Sequence, residues 1–204
     1  MIKPYEPQNY DRLLGTPGFS HQLLRNHFTL YQGYVKNTNK LNESLKSLAS
    51  QNKDKTPEFS ELKRRLGWEW NGMRLHEYYF GNMAKNGRKP DARSQLFQSI
   101  TENFGSFDKW EKDFKSMGEM RGIGWVTLCA DPTDRRLWNA WVNEHDTGLL
   151  AGSVPLLVMD VFEHAFMQDY GLKREEYIEA FFKAIDWDTV LQRMMMGSEE
   201  LAAV

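Results

Sequence analysis

Two long stretches with a helical repeat of apolar residues, separated by a short polar run, constrain this chain more than any other feature. In the first, Leu23, Leu24, His27, Phe28, Leu30, Tyr31, Tyr34, Leu41, Leu45 and Leu48 recur at steps of three and four. That spacing lines one face of an α-helix, which Ser20 is placed to cap and which runs to about Ala49. In the second, Thr56-Pro57-Glu58 has the N-cap and first-turn proline of a helix start. Leu62, Leu66, Met73, His76 and Phe80 then share a stripe, and the pattern ends near Met83. Between them Gln51-Asn52-Lys53-Asp54-Lys55 reads as a solvated turn. Two helices joined so closely, each with one apolar face to bury, fold back as an antiparallel hairpin. Each carries a histidine on the face it must bury.

The lead-in, residues 1–19, is rich in proline, glycine and asparagine and reads as irregular. Gly87 to Asp91 is the expected boundary between an N-terminal helical domain, residues 1–88, and a C-terminal α+β domain, residues 89–204. Beyond it two shorter helices are expected over about 92–103 and 107–118. Gly122-Ile123-Gly124 leads into a strand over Trp125–Cys129, Pro132-Thr133-Asp134 turns the chain into a second over Arg136–Val142, and Leu156–Met159 suits a buried third. From about Glu175 the pattern is helical again, with Tyr177, Phe181, Phe182, Ile185 and Trp187 facing inward. Helices, then a three-stranded antiparallel sheet, then helices define an α+β fold.

Composition excludes several classes. With 41% apolar and 26% charged residues the chain is an ordinary globular one. Its 26 basic and 28 acidic side chains give a net charge of −2, so no global basic field points to nucleic acid or an anionic membrane. One cysteine, Cys129, allows neither a disulfide framework nor a cysteine-built zinc site. Any metal site must use histidine and carboxylate. No stretch is long enough to cross a bilayer, and the start, with two prolines and no apolar run, does not read as a secretory signal, so cytoplasm is the expected address.

The five histidines can be taken in turn. A lone histidine on an apolar helix face, as His27 is, ordinarily belongs to the core and is hydrogen-bonded there. Two such residues facing into one hairpin, His27 and His76, need a partner for each ring nitrogen. Separate hydrogen bonds or a shared metal satisfy that need equally well. The apolar third strand runs into Asp160-Val161-Phe162-Glu163-His164, where Asp160 and His164 share a side if a helical turn begins there. They can coordinate a cation with the other two histidines or simply bond to each other. Rival metal patterns fail on spacing: there is no Glu-x-x-His, no His-x-Asp or His-x-Glu, and no second histidine after His76-Glu77 at zinc-protease spacing. The metal arrangement that survives is mononuclear, with three histidines and one aspartate.

These residues sit among longer motifs. In order they are Phe104-Gly105-Ser106-Phe107 with Phe114, Gly122-x-Gly124-Trp125, and Pro155-Leu156-Leu157-x-x-Asp160-Val161-x-Glu163-His164-Ala165. Tyr34-Val35-x-Asn37-x-Asn39-x-Leu41 and Arg174-x-x-Tyr177 accompany them. Over nearly its whole length the chain resembles the iron/manganese superoxide dismutases, Asp-x-x-Glu-His-Ala being the most specific element.

The resemblance implies one iron or manganese ion per subunit, held by His27, His76, Asp160 and His164. The implied reaction converts superoxide to dioxygen and hydrogen peroxide in a homodimer, with a tetramer as the larger alternative. Trp125 would wall the cavity, Glu163 would reach His164 of the partner subunit, and Arg174 would lie beside the substrate funnel. The family's gateway tyrosine follows its first ligand by eight residues, whereas Tyr34 follows His27 by seven. That rotates it to about 20° from His27 instead of about 80°, which makes Tyr31 a second candidate. Tyr31 also replaces a usual histidine, and Met167 replaces the tyrosine that pairs with it across the subunits, which marks a variant subgroup. Phe162 stands for the usual tryptophan. The family orients solvent at the metal from one of two places. The first is Gly72 here and offers no side chain; the second is His145. His21 is expected at the surface. Gly72 with His145 departs from the common iron arrangement, but Val158 is not the glycine frequent in manganese enzymes, and the balance leans to iron with activity in both metals open. The competing expectations are a binding or scaffold protein that keeps the fold without catalysis, and a metal-dependent oxygenase or peroxidase, which would need a roomier pocket.

Overall fold

The computed structural model describes the backbone of residues 3–202 and the side chains of residues 3–196. Met1 and Ile2 of the irregular lead-in, and Ala203 and Val204 at the far end, lie outside the described residues. The hairpin is formed by α1 (His21–Ser50) and α2 (Pro57–Gly81). Ser20 Oγ accepts the Leu23 N–H at 3.0 Å and Thr56 Oγ1 accepts the Phe59 N–H at 3.3 Å, so both expected caps are present. The buried stripe of α1 differs from the expected one at its middle. Val35 and Thr38 are buried, while Leu30 and Tyr34 are only half-covered, because the stripe follows 31, 35, 38 and 41 around the helix. Helix α2 stops at Gly81, short of Met83, which instead pairs with Ile185 in an isolated bridge.

The remainder comprises α3 (Gln95–Phe104), α4 (Phe107–Gly118), β1 (Gly124–Ala130), β2 (Leu137–Asn143), β3 (Val154–Asp160), a single turn α5 (Met167–Tyr170), α6 (Arg174–Lys183) and α7 (Trp187–Ala202). The antiparallel sheet has the order β2-β1-β3, with Trp125 opposite both Val142 and Asp160. The α+β order expected from sequence is present, with shifted ends: α3 starts three residues later than expected, Arg136 lies before β2, and β3 extends through Asp160. Phe182 is half-covered, whereas Tyr177, Phe181, Ile185 and Trp187 are buried. Gly124 has φ of +150° and sits so close to the opposite strand that a Cβ would lie 2.0 Å from the Val142 carbonyl oxygen. Only glycine fits at this entry to the strand. Among the described residues no helix is long and apolar enough to cross a membrane.

β3 is an edge strand, and Asn82, just past the end of α2, satisfies it. Its Nδ2 donates to the Val158 carbonyl at 3.2 Å and to the Tyr79 carbonyl at 3.0 Å, while its Oδ1 accepts the Val158 N–H at 2.9 Å. Arg193 from α7 donates to the same Oδ1 at 3.1 Å. A single buried side chain thus ties the helix hairpin to the strand that ends in Asp160.

Candidate metal centre

Four elements deliver one side chain each: His27 from α1, His76 from α2, Asp160 from the last position of β3, and His164 from a 3-10 turn over Glu163–Ala165. Their ligand atoms all lie within 4.8 Å of one another, and no other such group of histidine, cysteine or carboxylate occurs among the described residues. Asp160 Oδ2 is 3.1 Å from His27 Nε2, 3.2 Å from His164 Nε2 and 3.8 Å from His76 Nε2. Asp160 belongs to the strand, not to a helical turn as the four-residue spacing suggests; the short turn around His164 brings the two together. The aspartate is held from behind. Its Oδ1 accepts the Phe162 N–H at 2.8 Å, and the Tyr177 hydroxyl donates to its backbone carbonyl at 2.6 Å.

His76 is the most telling member. Its Nδ1–H donates to the Gly72 carbonyl at 2.6 Å, which leaves Nε2 as a bare lone pair. That atom is fully buried and has no hydrogen-bond partner. A buried lone pair without a donor is costly, and three imidazole nitrogens with one carboxylate oxygen are the donor set of a transition-metal ion. The residues present therefore fit iron or manganese. Burial pushes the pKa of both His27 and His76 down, keeping them in the neutral form a metal needs. Burial alone would raise Asp160, but His164 and His27 pull its carboxyl well below the usual carboxylate range. Asp160 is ionised.

Around this group runs a hydrogen-bonded chain. Trp125 Nε1–H donates to His145 Nδ1 at 3.1 Å, and His145 Nε2 is 2.7 Å from the Tyr34 hydroxyl. Indole N–H only donates, so Nδ1 must accept. Burial lowers the His145 pKa to about 4, so the ring is neutral and its one hydrogen lies on Nε2. Nε2–H then donates to the Tyr34 oxygen, which leaves the phenolic hydrogen free to point elsewhere. Burial raises the Tyr34 pKa and keeps that hydrogen in place. Phe162 stacks on His145 at 5.0 Å and on His164 at 5.2 Å, closing an aromatic wall.

Tyr31 does not join this chain. Its hydroxyl donates to Glu77 Oε1 at 2.9 Å and accepts the Gln8 N–H at 3.0 Å, tying the lead-in to α2. Of the two tyrosines, Tyr34 is the one brought to His145. Gly72 explains how: a Cβ there would lie 2.6 Å from Tyr34 Cδ1. Gly72→Ala is expected to push the tyrosine ring off His145 and lower turnover roughly tenfold, the scale of other outer-layer changes at metal sites. Metal content, measured alongside the rate, should be unchanged.

Glu163 is exposed, and the His164 side chain retains 26% exposure. Arg174 donates to the carbonyls of Met120 at 2.7 Å and Gly122 at 3.0 Å, and lines an open cleft with Glu163 and Ile123. Met167 and His21 are exposed. Unexpected from sequence are Trp68, whose ring lies 4.5 Å from that of His145, and Glu144, which accepts its N–H. A signal existed: Trp68, Gly72 and His76 follow one another at steps of four on α2.

Three nitrogens and one carboxylate oxygen gathered between a helix hairpin and a small sheet make an α+β protein with a site able to hold a metal ion. Residues 92–193 match the family model described as iron/manganese superoxide dismutases, C-terminal domain. The chain is 36% identical to the superoxide dismutase [Mn] of Haloarcula marismortui over 91% of its own length and 89% of the relative's. It is also 36% identical to the superoxide dismutase [Fe] of Cupriavidus metallidurans, over 86% and 88%. To the superoxide dismutase [Fe] of Aquifex pyrophilus it is 35% identical, over 94% and 92%. The chain belongs to the iron/manganese superoxide dismutase family.

Proposed function

We propose that the protein disproportionates superoxide at one iron or manganese ion held by His27, His76, Asp160 and His164. The observation that carries this reading is the buried, unpartnered His76 Nε2 aimed at a group whose ligand atoms lie within 4.8 Å of one another. When bound, either metal supplies a one-electron couple between its +3 and +2 states. With a +3 ion held there, three neutral imidazoles and one carboxylate would bring the net charge of the site to +2, enough to attract an anion without making the lower state prohibitive. Two superoxide ions and two protons become one dioxygen and one hydrogen peroxide. The protein's part in the proton supply falls to Tyr34, whose hydroxyl keeps its hydrogen and is oriented by His145, itself fixed by Trp125. Phe162 and Trp125 meet edge-on at 6.0 Å and form an aromatic wall beside the ligand group. Arg174 is the nearby cation assigned to the approach of the anion.

The functional unit we propose is a homodimer in which Glu163 reaches His164 of the partner subunit. The exposed Glu163 carboxylate and the partial exposure of His164 support this. Iron is the proposed first occupant, with manganese the alternative, because Val158, two residues before Asp160, is not the glycine that the family resemblance associates with manganese. A single, buried cysteine supports a reducing cytoplasm as the address. The product ratio tests the reaction. Metal-loaded protein should release one dioxygen and one peroxide for every two superoxide ions consumed; peroxide without dioxygen would identify a reductase instead.

A further inference from the structure

The loop that carries His145 is short and strained. Asn143 and Thr147 close it by exchanging backbone hydrogen bonds at 2.7 and 3.3 Å, and the Glu144 N–H is held by the Ile123 carbonyl at 3.2 Å. Glu144, immediately before His145, adopts a left-handed backbone with φ of 49°, a conformation that a glutamate adopts only under constraint. The constraint on its side chain comes from another element. Trp68 of α2 donates its Nε1–H to Glu144 Oε2 at 3.1 Å.

Trp68 also touches the two residues of the hydrogen-bonded chain. Its ring meets His145 edge-on at 4.5 Å and 71°, and lies 5.7 Å from Tyr34. Phe162 covers the His145 ring in a stacked arrangement at 26°, so Phe162 and Trp68 together fix the tilt that the two ring nitrogens alone leave free. Trp68 is in turn pinned by Arg65, whose guanidinium carbon is 3.8 Å from the indole centroid. Arg65 bonds to the buried Glu69 at 3.1 Å, and Glu69 accepts from Asn37 of α1 at 3.4 Å. A continuous strut thus runs from the hairpin through Arg65 and Trp68 to Glu144.

We propose that Trp68 and Glu144 are positioning residues for the dismutation, setting the orientation of His145 and through it that of the Tyr34 hydroxyl. This rests on the function proposed above. The tether acts where it matters for proton delivery. It joins the helix that supplies His76 to the loop that supplies His145, so the distance between Tyr34 and His145 is set by Trp68 and not by the loop alone.

The test uses full-length protein with Trp68→Phe, which keeps a ring but loses the N–H, with Glu144→Ala, and with Glu144→Gln, whose amide oxygen still accepts. Amide exchange at Glu144 and Thr147 is followed in metal-free protein, and turnover and bound metal in loaded protein. Trp68→Phe and Glu144→Ala should speed exchange at both amides about tenfold and lower turnover by a similar factor, with bound metal unchanged. Glu144→Gln should restore both to within about twofold of the parent. Unchanged exchange in the first two variants would overturn the tether. Faster exchange with unaltered turnover in an active parent would overturn the positioning role, as would failure of Glu144→Gln to rescue. A loaded parent that does not dismutate overturns the proposed function and with it the catalytic role, while the exchange data still decide the tether.

Discussion

Asp160→Ala is expected to empty the metal site and abolish dismutation together. Asp160 Oδ2 is the common neighbour of three imidazole nitrogens, and its carboxylate is the only negative charge among the four ligand atoms. Without it, a trivalent ion would have to be held in a buried site by neutral donors alone, which the energetics of buried charge disfavour strongly. Outer-layer changes at metal sites cost about 10–100-fold, so loss of this ligand should exceed about a hundredfold in turnover. Metal analysis of the purified variant should find far less than one ion per chain. Retention of stoichiometric metal with near-normal turnover would remove Asp160 from the ligand set. The variant also strands the buried Phe162 N–H that Oδ1 accepts, a cost of about 1–3 kcal/mol, so the fold should survive, weakened, with Tyr177 still bonded to the Asp160 backbone.

The largest expected effect on stability lies elsewhere, at Asn82. Asn82→Ala would strand the outward N–H and carbonyl of Val158 on the edge of β3 and remove one of the acceptors of Arg193. Buried polar groups left unpaired cost about 1–3 kcal/mol each, so a loss of about 3–5 kcal/mol is expected. For a chain of this size that corresponds to a fall of roughly 6–20 °C in Tm, to be read from thermal unfolding of metal-free protein. A shift under about 2 °C would mean that water replaces the side chain there. Metal affinity should fall as well, since Val158 lies two residues from Asp160.

Much of this molecule is legible in its sequence, for definite reasons. Ser20 and Thr56 announce the starts of the hairpin helices because an N-cap is a local device, settled by three or four neighbouring residues. His27 and His76 could be set on the inner face from helical period alone. The strands were visible but their ends were not: Arg136 falls outside β2 and Asp160 falls inside β3, because ladder ends depend on partners distant in sequence. The choice between Tyr31 and Tyr34 also lay beyond local reading. Seven residues after His27, Tyr34 reaches His145 only because Gly72 on the other helix leaves room for its ring. Trp68 and Glu144, separated by 76 residues, had no motif to join them. Asn82 likewise looks like an ordinary helix-end asparagine until β3 is laid beside it.

Four side chains drawn from two helices, a strand and a turn are proposed to make a working redox centre. Metal-free protein reconstituted separately with iron and with manganese tests it most directly, with bound metal quantified in the same samples used for superoxide consumption. One ion per chain, with catalytic dismutation in at least one of the two forms, is the predicted result. Stoichiometric metal in both forms with dismutation in neither would contradict it.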